Sequence, residues 1–208
     1  CALPIFPAVE RHEIPAALIQ DDTLRDRLAR HFPDGAARLN RLIAGLPTQD
    51  ASRQKSIEER RAAYATAPRD PRRGQEIFNQ LCVVCHQVNG QGGLVGPQLT
   101  GIGMRGIERL CEDVLDPNRN VDHAFRQSRI SLQNDEERFG LFRRDEDQLA
   151  VFVDANGREF SVKKSDIRAR QELATSLMPD NFGEVIPPAD FSHLLDFLLS
   201  QRGTPVGR

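Results

Sequence analysis

The sequence predicts a mainly α-helical fold with a small antiparallel β insertion and a helical N-terminal extension. Through most of the chain apolar residues recur three or four positions apart, which indicates helices with one buried face. Over residues 128–167 apolar and polar residues alternate instead, which is the period of a half-buried strand. The stretch Pro68-Arg69-Asp70-Pro71 is typical of a linker. We therefore expect an extension over residues 1–70 and a domain over residues 71–208 that contains the insertion.

The predicted extension is helical and poor in chemically active residues. Leu24 and Leu28 lie four positions apart, and a second apolar stripe comprises Leu39, Leu42, Ile43 and Leu46. A third, more polar helix is predicted for residues 51–65. No functional motif occurs in residues 1–65, so the sequence assigns them no role.

The motif Cys82-Val83-Val84-Cys85-His86 carries the main functional signal. Two cysteines two residues apart, followed directly by histidine, are typical of covalent attachment of a c-type haem. Each thiol would form a thioether with a haem vinyl group, and His86 would bind the iron from one side. Because such attachment is completed outside the cytoplasm, we expect a location in the periplasm or cell envelope.

Other functions of the same motif are less consistent with the chain. A structural zinc site needs four Cys or His ligands, usually as two close pairs, but Cys1 and Cys111 are isolated. A thioredoxin-like redox pair should lie near a strand–helix–strand unit, whereas the residues before Cys82 are predicted to be helical. A plain disulfide would explain neither His86 nor the glycine-rich segment that follows. Haem is therefore favoured.

The glycine-rich segment 89–97 follows the motif directly. It lacks the Gly-Lys-Ser/Thr ending of a phosphate-binding loop and a preceding strand. We interpret it as chain folded tightly against a flat ligand, where glycine lets the backbone approach. An amphipathic helix is predicted for Gly106–Leu115, ended by Asp116-Pro117.

The insertion is predicted to form about four short antiparallel strands. Turn residues separate the alternating segments at 134–135, 145–147 and 154–157, and such short connections imply antiparallel pairing. The segment after residue 167 is expected to return to helix. No base, nucleophile and acid group converge anywhere in the sequence, so we expect an electron carrier rather than an enzyme.

The second axial ligand of the iron is predicted to be Met178. The chain has only two methionines, and Met104 follows His86 too closely to pass round the edge of the ring. Pro179 stiffens the backbone beside Met178, which suits a fixed metal ligand. His123, or an iron left open to water, remains as an alternative. Ligation by His and Met raises the haem potential and suits one-electron transfer.

Composition limits the partners. The net charge of −2 gives no electrostatic case for nucleic acid or an anionic membrane surface. No apolar run approaches the roughly 18 residues of a membrane span. Cys1 permits two interpretations, the lipid-bearing cysteine of a processed lipoprotein or the cut end of a longer protein.

These residues together resemble a class I cytochrome c over 72–120 and 168–203. Gly74 and Phe78 match the first helix, which packs across the last one in that family. Pro97 stands where a proline carbonyl accepts the hydrogen bond of the ligand histidine, Leu99 where an apolar residue covers the haem, and Met178-Pro179 matches the methionine loop. The resemblance implies one covalent haem c, one-electron transfer and redox protein partners. Arg105 or Arg126 is a candidate to pair with a haem propionate.

More closely, the chain resembles a cytochrome-c-like domain at the C-terminus of large secreted bacterial dehydrogenase-like proteins. The matching segments are Gly92-Gly93, Gly96-Pro97-Gln98-Leu99-Thr100, Asp116-Pro117 and Ser176-Leu177-Met178-Pro179. Gln98 replaces the usual aspartate, and Asn134-Asp135 replaces Asp-Gly. The resemblance implies that the electron donor could be an upstream dehydrogenase domain. A haem-based gas sensor with a displaceable methionine is the alternative function.

Overall fold

The computed structural model describes residues 5–11, 13–20, 22–46 and 48–203, in two compact units that divide after Lys55. The helices are α1 (Ile5–Glu10), α2 (Asp22–His31), α3 (Gly35–Leu42), α4 (Gln49–Thr66), α5 (Pro71–Leu81), α6 (Gly106–Leu115), α7 (Phe182–Val185) and α8 (Pro188–Ser200). The strands are β1 (Gln87–Val88), β2 (Gln91–Gly92), β3 (Arg126–Leu132), β4 (Glu137–Glu146), β5 (Leu149–Val153), β6 (Glu159–Lys163) and β7 (Ile167–Ser176). No helix among these residues is long and apolar enough to span a membrane. Cys1 lies outside the described residues.

The first unit is a small helical cluster. Helices α1 to α3 surround a core that contains Phe6, Val9, Ile19, Leu28 and Leu39. The predicted apolar stripes supply part of this core, although Leu46 is exposed. The predicted domain boundary after residue 70 stays a prediction. Helix α4 crosses the division between the units, and its second half supplies Ile57 and Tyr64 to the core of the second unit.

The core of the second unit is organised by the crossing of α5 and α8. Asp70 caps α5, because its carboxylate accepts hydrogen bonds from the backbone N–H groups of Arg72 and Arg73. A Cβ atom at Gly74 would overlap the His193 carbonyl and lie 2.7 Å from Cβ of Phe197, so only glycine allows this approach. The rings of Phe78 and Phe197 are 5.3 Å apart. The expected packing of the first helix of the domain across the last is present.

The β region is larger than the sequence predicts. Five antiparallel strands form a sheet in the order β6-β5-β4-β3-β7, which covers residues 126–176 rather than 128–167. The prediction of a mainly α fold with a small insertion is therefore only partly correct. The buried core of the sheet comprises Ile130, Leu132, Ala150, Phe152 and Val162.

The missed strand is β7, which lies where the sequence analysis expects helix. Most of its side chains are exposed, and only Ile167, Leu173, Thr175 and Ser176 are partly buried. Apolar alternation is therefore absent from its sequence. Pairing with β3 over almost its whole length holds it in the sheet, and such tertiary pairing overrides local propensity.

Candidate haem site

All six residues that the sequence analysis assigns to the cofactor line one cavity of about 400 Å³ in the second unit. They are Cys82, Cys85, His86, Pro97, Leu99 and Met178. Much of the remaining wall is apolar and includes Phe78, Leu110, Phe182, Ile186, Leu194 and Leu198. A cavity of this size and character is typical of a cofactor-binding site, whose volume is usually about 300 to 1,000 Å³.

The end of α5 brings the two cysteines to the cavity. Cys82 is the C-cap residue of α5, and its carbonyl accepts hydrogen bonds from the N–H groups of Cys85 and His86 at 3.1 and 2.9 Å. This turn places both cysteines and His86 on the wall of the cavity. Burial raises the pKa of the Cys82 thiol to about 12. The pKa of Cys85 is also raised, chiefly by burial and further by the Asp154 carboxylate.

His86 is oriented by a backbone carbonyl. Its Nδ1 lies 2.8 Å from the Pro97 oxygen, the contact that the resemblance implies. A carbonyl can only accept, so Nδ1 must donate, and Nε2 therefore keeps a free lone pair for a metal. Burial lowers the pKa of His86 and the Pro97 carbonyl opposes the shift, so the neutral ring is favoured.

The glycine-rich segment packs against the cysteine motif itself. A Cβ atom at Gly96 would lie 2.7 Å from Cε1 of His86, and one at Gly93 would overlap the Val84 carbonyl. The N–H groups of Gly93 and Gly96 donate to the carbonyls of Val83 and Cys85, each at 2.8 Å. The glycines are therefore needed for close approach to the motif. Gly96 also lines the cavity, and the expectation that this segment folds against a flat ligand stays a prediction. The start of this segment forms the turn and second strand of a short hairpin, β1–β2.

Met178 reaches the cavity directly after strand β7. Its N–H donates to Oγ of Ser176 at 3.0 Å, and the Ser176 N–H donates to Oδ1 of Asn118 at 2.8 Å. Met104, by contrast, is 78% exposed. His123 is also exposed, and its Nδ1 contacts the Glu172 carboxylate at 2.9 Å. Met178 therefore lines the same cavity as His86, whereas Met104 and His123 do not.

One wall of the cavity is charged. It carries three cations and three anions from α6, from the residue before it and from the turn after it, namely Arg105, Arg109, Glu112, Asp113, Asp116 and Arg119. Arg105 and Arg109 contact the Asp113 carboxylate at 3.3 and 3.1 Å. Burial raises the pKa of Asp113 although both arginines oppose the shift.

Of the two arginines suggested for a haem propionate, Arg105 lines the cavity. Arg126 instead donates to the Val121 carbonyl at 3.1 Å and to Glu172 at 3.3 Å. The sequence analysis missed Arg109 and Arg119. The signal was present in part, because Arg109 is four residues after Arg105, the spacing of neighbours on a helix, and Arg105 is the residue that precedes α6.

The zinc alternative lacks a ligand set. Within the part of the chain that the structure describes, no three His, Cys, Asp or Glu side chains cluster closely enough to hold a metal ion. A thioredoxin-like arrangement is also absent there, because the motif follows helix α5 and precedes only the short β1–β2 hairpin.

An apolar cavity with a Cys-x-x-Cys-His motif on its wall defines a c-type haem site. The family model described as Cytochrome c matches residues 71–123, from the start of α5 to just beyond α6. No curated protein matches the chain significantly. The family match supports a cytochrome c domain with covalently bound haem c as its cofactor, and hence an electron-transfer module. Met178 and the whole five-stranded sheet lie beyond the matched residues.

Proposed function

We propose that this chain transfers single electrons between redox proteins through one haem c, with His86 and Met178 as the iron ligands. Cys82 and Cys85 are the tethers. One observation carries the proposal: His86, which follows α5, and Met178, which follows β7, are distant in sequence and line the same apolar cavity. An imidazole and a thioether at one cavity suit a six-coordinate iron.

The haem, when bound, supplies the capacity to gain and lose one electron, and the chain controls how easily this happens. The Pro97 carbonyl accepts a hydrogen bond from the N–H at Nδ1 of His86, which fixes the ring and makes Nε2 a better electron donor. The soft sulfur of Met178 favours the ferrous over the ferric state. Leu99 and the apolar wall exclude water, which also favours the less charged state. Together these groups set the potential.

A redox titration of Met178→His tests the ligand assignment. Because imidazole stabilises ferric iron better than a thioether does, the potential should fall, and the sulfur-to-iron absorption band of the ferric protein should disappear. Met104→Leu is the matched control, since Met104 is exposed and should change neither property. A Met178→His protein with an unchanged or higher potential would refute Met178 as ligand.

A haem-based gas sensor is the second candidate, and the position of β7 favours it. This edge strand runs directly into the loop of Met178, so a change in ligation could alter the sheet. Carbon monoxide distinguishes the two functions. An electron carrier with a firmly bound methionine should take up carbon monoxide slowly in the ferrous state, whereas rapid and tight uptake would favour the sensor.

We further propose that the chain acts outside the cytoplasm, as an electron-accepting domain of a larger dehydrogenase-like protein. The resemblance of the Gly92-Gly93 and Ser176–Pro179 segments to such domains supports this assignment. The sequence of the gene upstream of the codon for Cys1 tests it. A signal peptide followed by a catalytic domain is expected, whereas a lipoprotein signal ending at Cys1 would instead indicate a lipid-anchored carrier.

A further inference from the structure

The second half of α4 presents one face to the core of the second unit. Ile57, Arg60 and Tyr64 are three and four residues apart and therefore lie on the same side of the helix. Ile57 and Tyr64 are buried among the side chains of this core. Arg60 lies between them in the sequence, and its guanidinium is 5.4 Å from the ring centre of Phe191.

Arg60 holds the short helix α7 through backbone carbonyls. Its Nη2 donates to the oxygens of Gly183 and Ile186 at 2.6 and 3.0 Å. Carbonyls at the end of a helix have no partner within the helix, and a helix of four residues cannot persist without external contacts. Arg60 therefore supplies hydrogen-bond donors for carbonyls that α7 itself does not satisfy.

The Arg60 side chain makes no hydrogen bond to a carboxylate in the described part of the chain. Its Nη1 is buried without a hydrogen-bond partner, and burial lowers the pKa of the guanidinium. Burial of a cation without a carboxylate partner is costly, and the two carbonyl contacts offset part of that cost.

Helix α7 immediately follows the loop that carries Met178. Phe182 and Ile186 line the same cavity as Met178. Before Met178, the chain is anchored at Ser176, whose carbonyl accepts from Gln127 Nε2 at 3.3 Å and whose N–H donates to Asn118. After Met178, Arg60 provides the corresponding anchor through α7.

We propose that Arg60 is a positioning residue that keeps the Met178 loop closed over the iron site. The second half of α4 then belongs to the support of the axial ligand. This inference rests on the proposed function, because it requires Met178 to bind the iron.

The test compares Arg60→Leu, Arg60→Lys and Arg61→Leu in the haem-loaded protein. Arg61 is the matched control on the same helix, since its guanidinium forms an exposed ion pair with Glu108. The readouts are the sulfur-to-iron band of the ferric protein and the rate of carbon monoxide uptake by the ferrous protein. Far-ultraviolet circular dichroism reports global unfolding separately.

Arg60→Leu should increase the rate of carbon monoxide uptake at least about tenfold, because two hydrogen bonds from a charged donor are lost. The sulfur band should disappear at a lower temperature than in the wild type, before global unfolding. The carbon monoxide uptake rate of Arg60→Lys should fall between those of the wild type and Arg60→Leu, since the lysine ammonium can contact one carbonyl. Arg61→Leu should match the wild type.

The outcomes separate the two proposals. If the wild type lacks the sulfur band, Met178 is not the ligand, and both the ligand assignment and this inference fail. If the wild type has the band and both Arg60 variants behave like Arg61→Leu, this inference alone is overturned. If both Arg60 variants fail to acquire haem or unfold globally, Arg60 supports the whole domain, and the positioning role is rejected.

Discussion

Substitution of Gly96 by alanine should displace the proposed iron ligand His86. The added Cβ atom would lie 2.7 Å from Cε1 and 3.0 Å from Nδ1 of the imidazole, well inside van der Waals contact. Gly96 does not have a left-handed backbone conformation, so the effect is steric. Overpacking costs about 1–3 kcal/mol. Loss of the His86–Pro97 hydrogen bond costs a further ~1 kcal/mol. We therefore expect the free energy of unfolding to fall by roughly 2–4 kcal/mol.

Guanidinium unfolding and a redox titration of haem-loaded Gly96→Ala test this expectation. The potential should rise, because an imidazole without the Pro97 carbonyl donates less charge to the iron and stabilises the ferric state less. Gly203→Ala is the control, since its Cβ would meet only Gly101 at ordinary contact distances of 3.5 and 3.9 Å. A Gly96→Ala protein within about 0.5 kcal/mol of this control, with an unchanged potential, would refute the role assigned to the close contact.

Three further predictions concern the helix crossing, the thiols and the charged wall. Gly74→Ala should lower the free energy of unfolding by about 3 kcal/mol, because its Cβ overlaps the His193 carbonyl; denaturant titration beside Gly203→Ala checks this. Alkylation of the denatured holoprotein should label Cys111 and leave Cys82 and Cys85 unlabelled, and peptide mass spectrometry that finds either tether alkylated would contradict thioether formation. Burial raises the pKa of Asp113 in the folded state above its ordinary value of 3.8, so the folded protein binds this proton more tightly than the unfolded chain. Stability should therefore fall as the pH rises between the two pKa values, and Asp113→Asn should flatten that part of the profile; an unchanged slope would be evidence against the shift.

The haem-binding elements could be predicted because their signals are local. Cys82, Cys85 and His86 lie within five consecutive residues. The Asp70 cap of α5, by contrast, falls in the stretch that the sequence analysis interprets as a linker. The apolar stripe of α8 identifies its buried face, since Phe191, Leu194 and Leu195 are fully buried.

The sequence analysis failed where structure depends on distant partners. Strand β7 exposes most of its side chains, and its main-chain pairing with β3 leaves no trace in the apolar pattern. The contact of Arg60 with Gly183 and Ile186 spans more than half of the chain, and its acceptors are backbone atoms that carry no residue signature. The close contact between Gly96 and His86 was likewise not predictable from the sequence, because glycine enrichment does not show which group the backbone approaches.

Intact mass spectrometry of protein produced with haem-attachment machinery, together with a pyridine haemochrome assay, tests the central claim most directly. We predict a coloured protein that is heavier than the polypeptide by one haem, and that keeps the haem after acid–acetone extraction. The haemochrome spectrum should be that of a haem with both vinyl groups converted to thioethers. A colourless chain with the mass of the bare polypeptide, or a haem that is extracted by acid–acetone, would contradict attachment at Cys82 and Cys85.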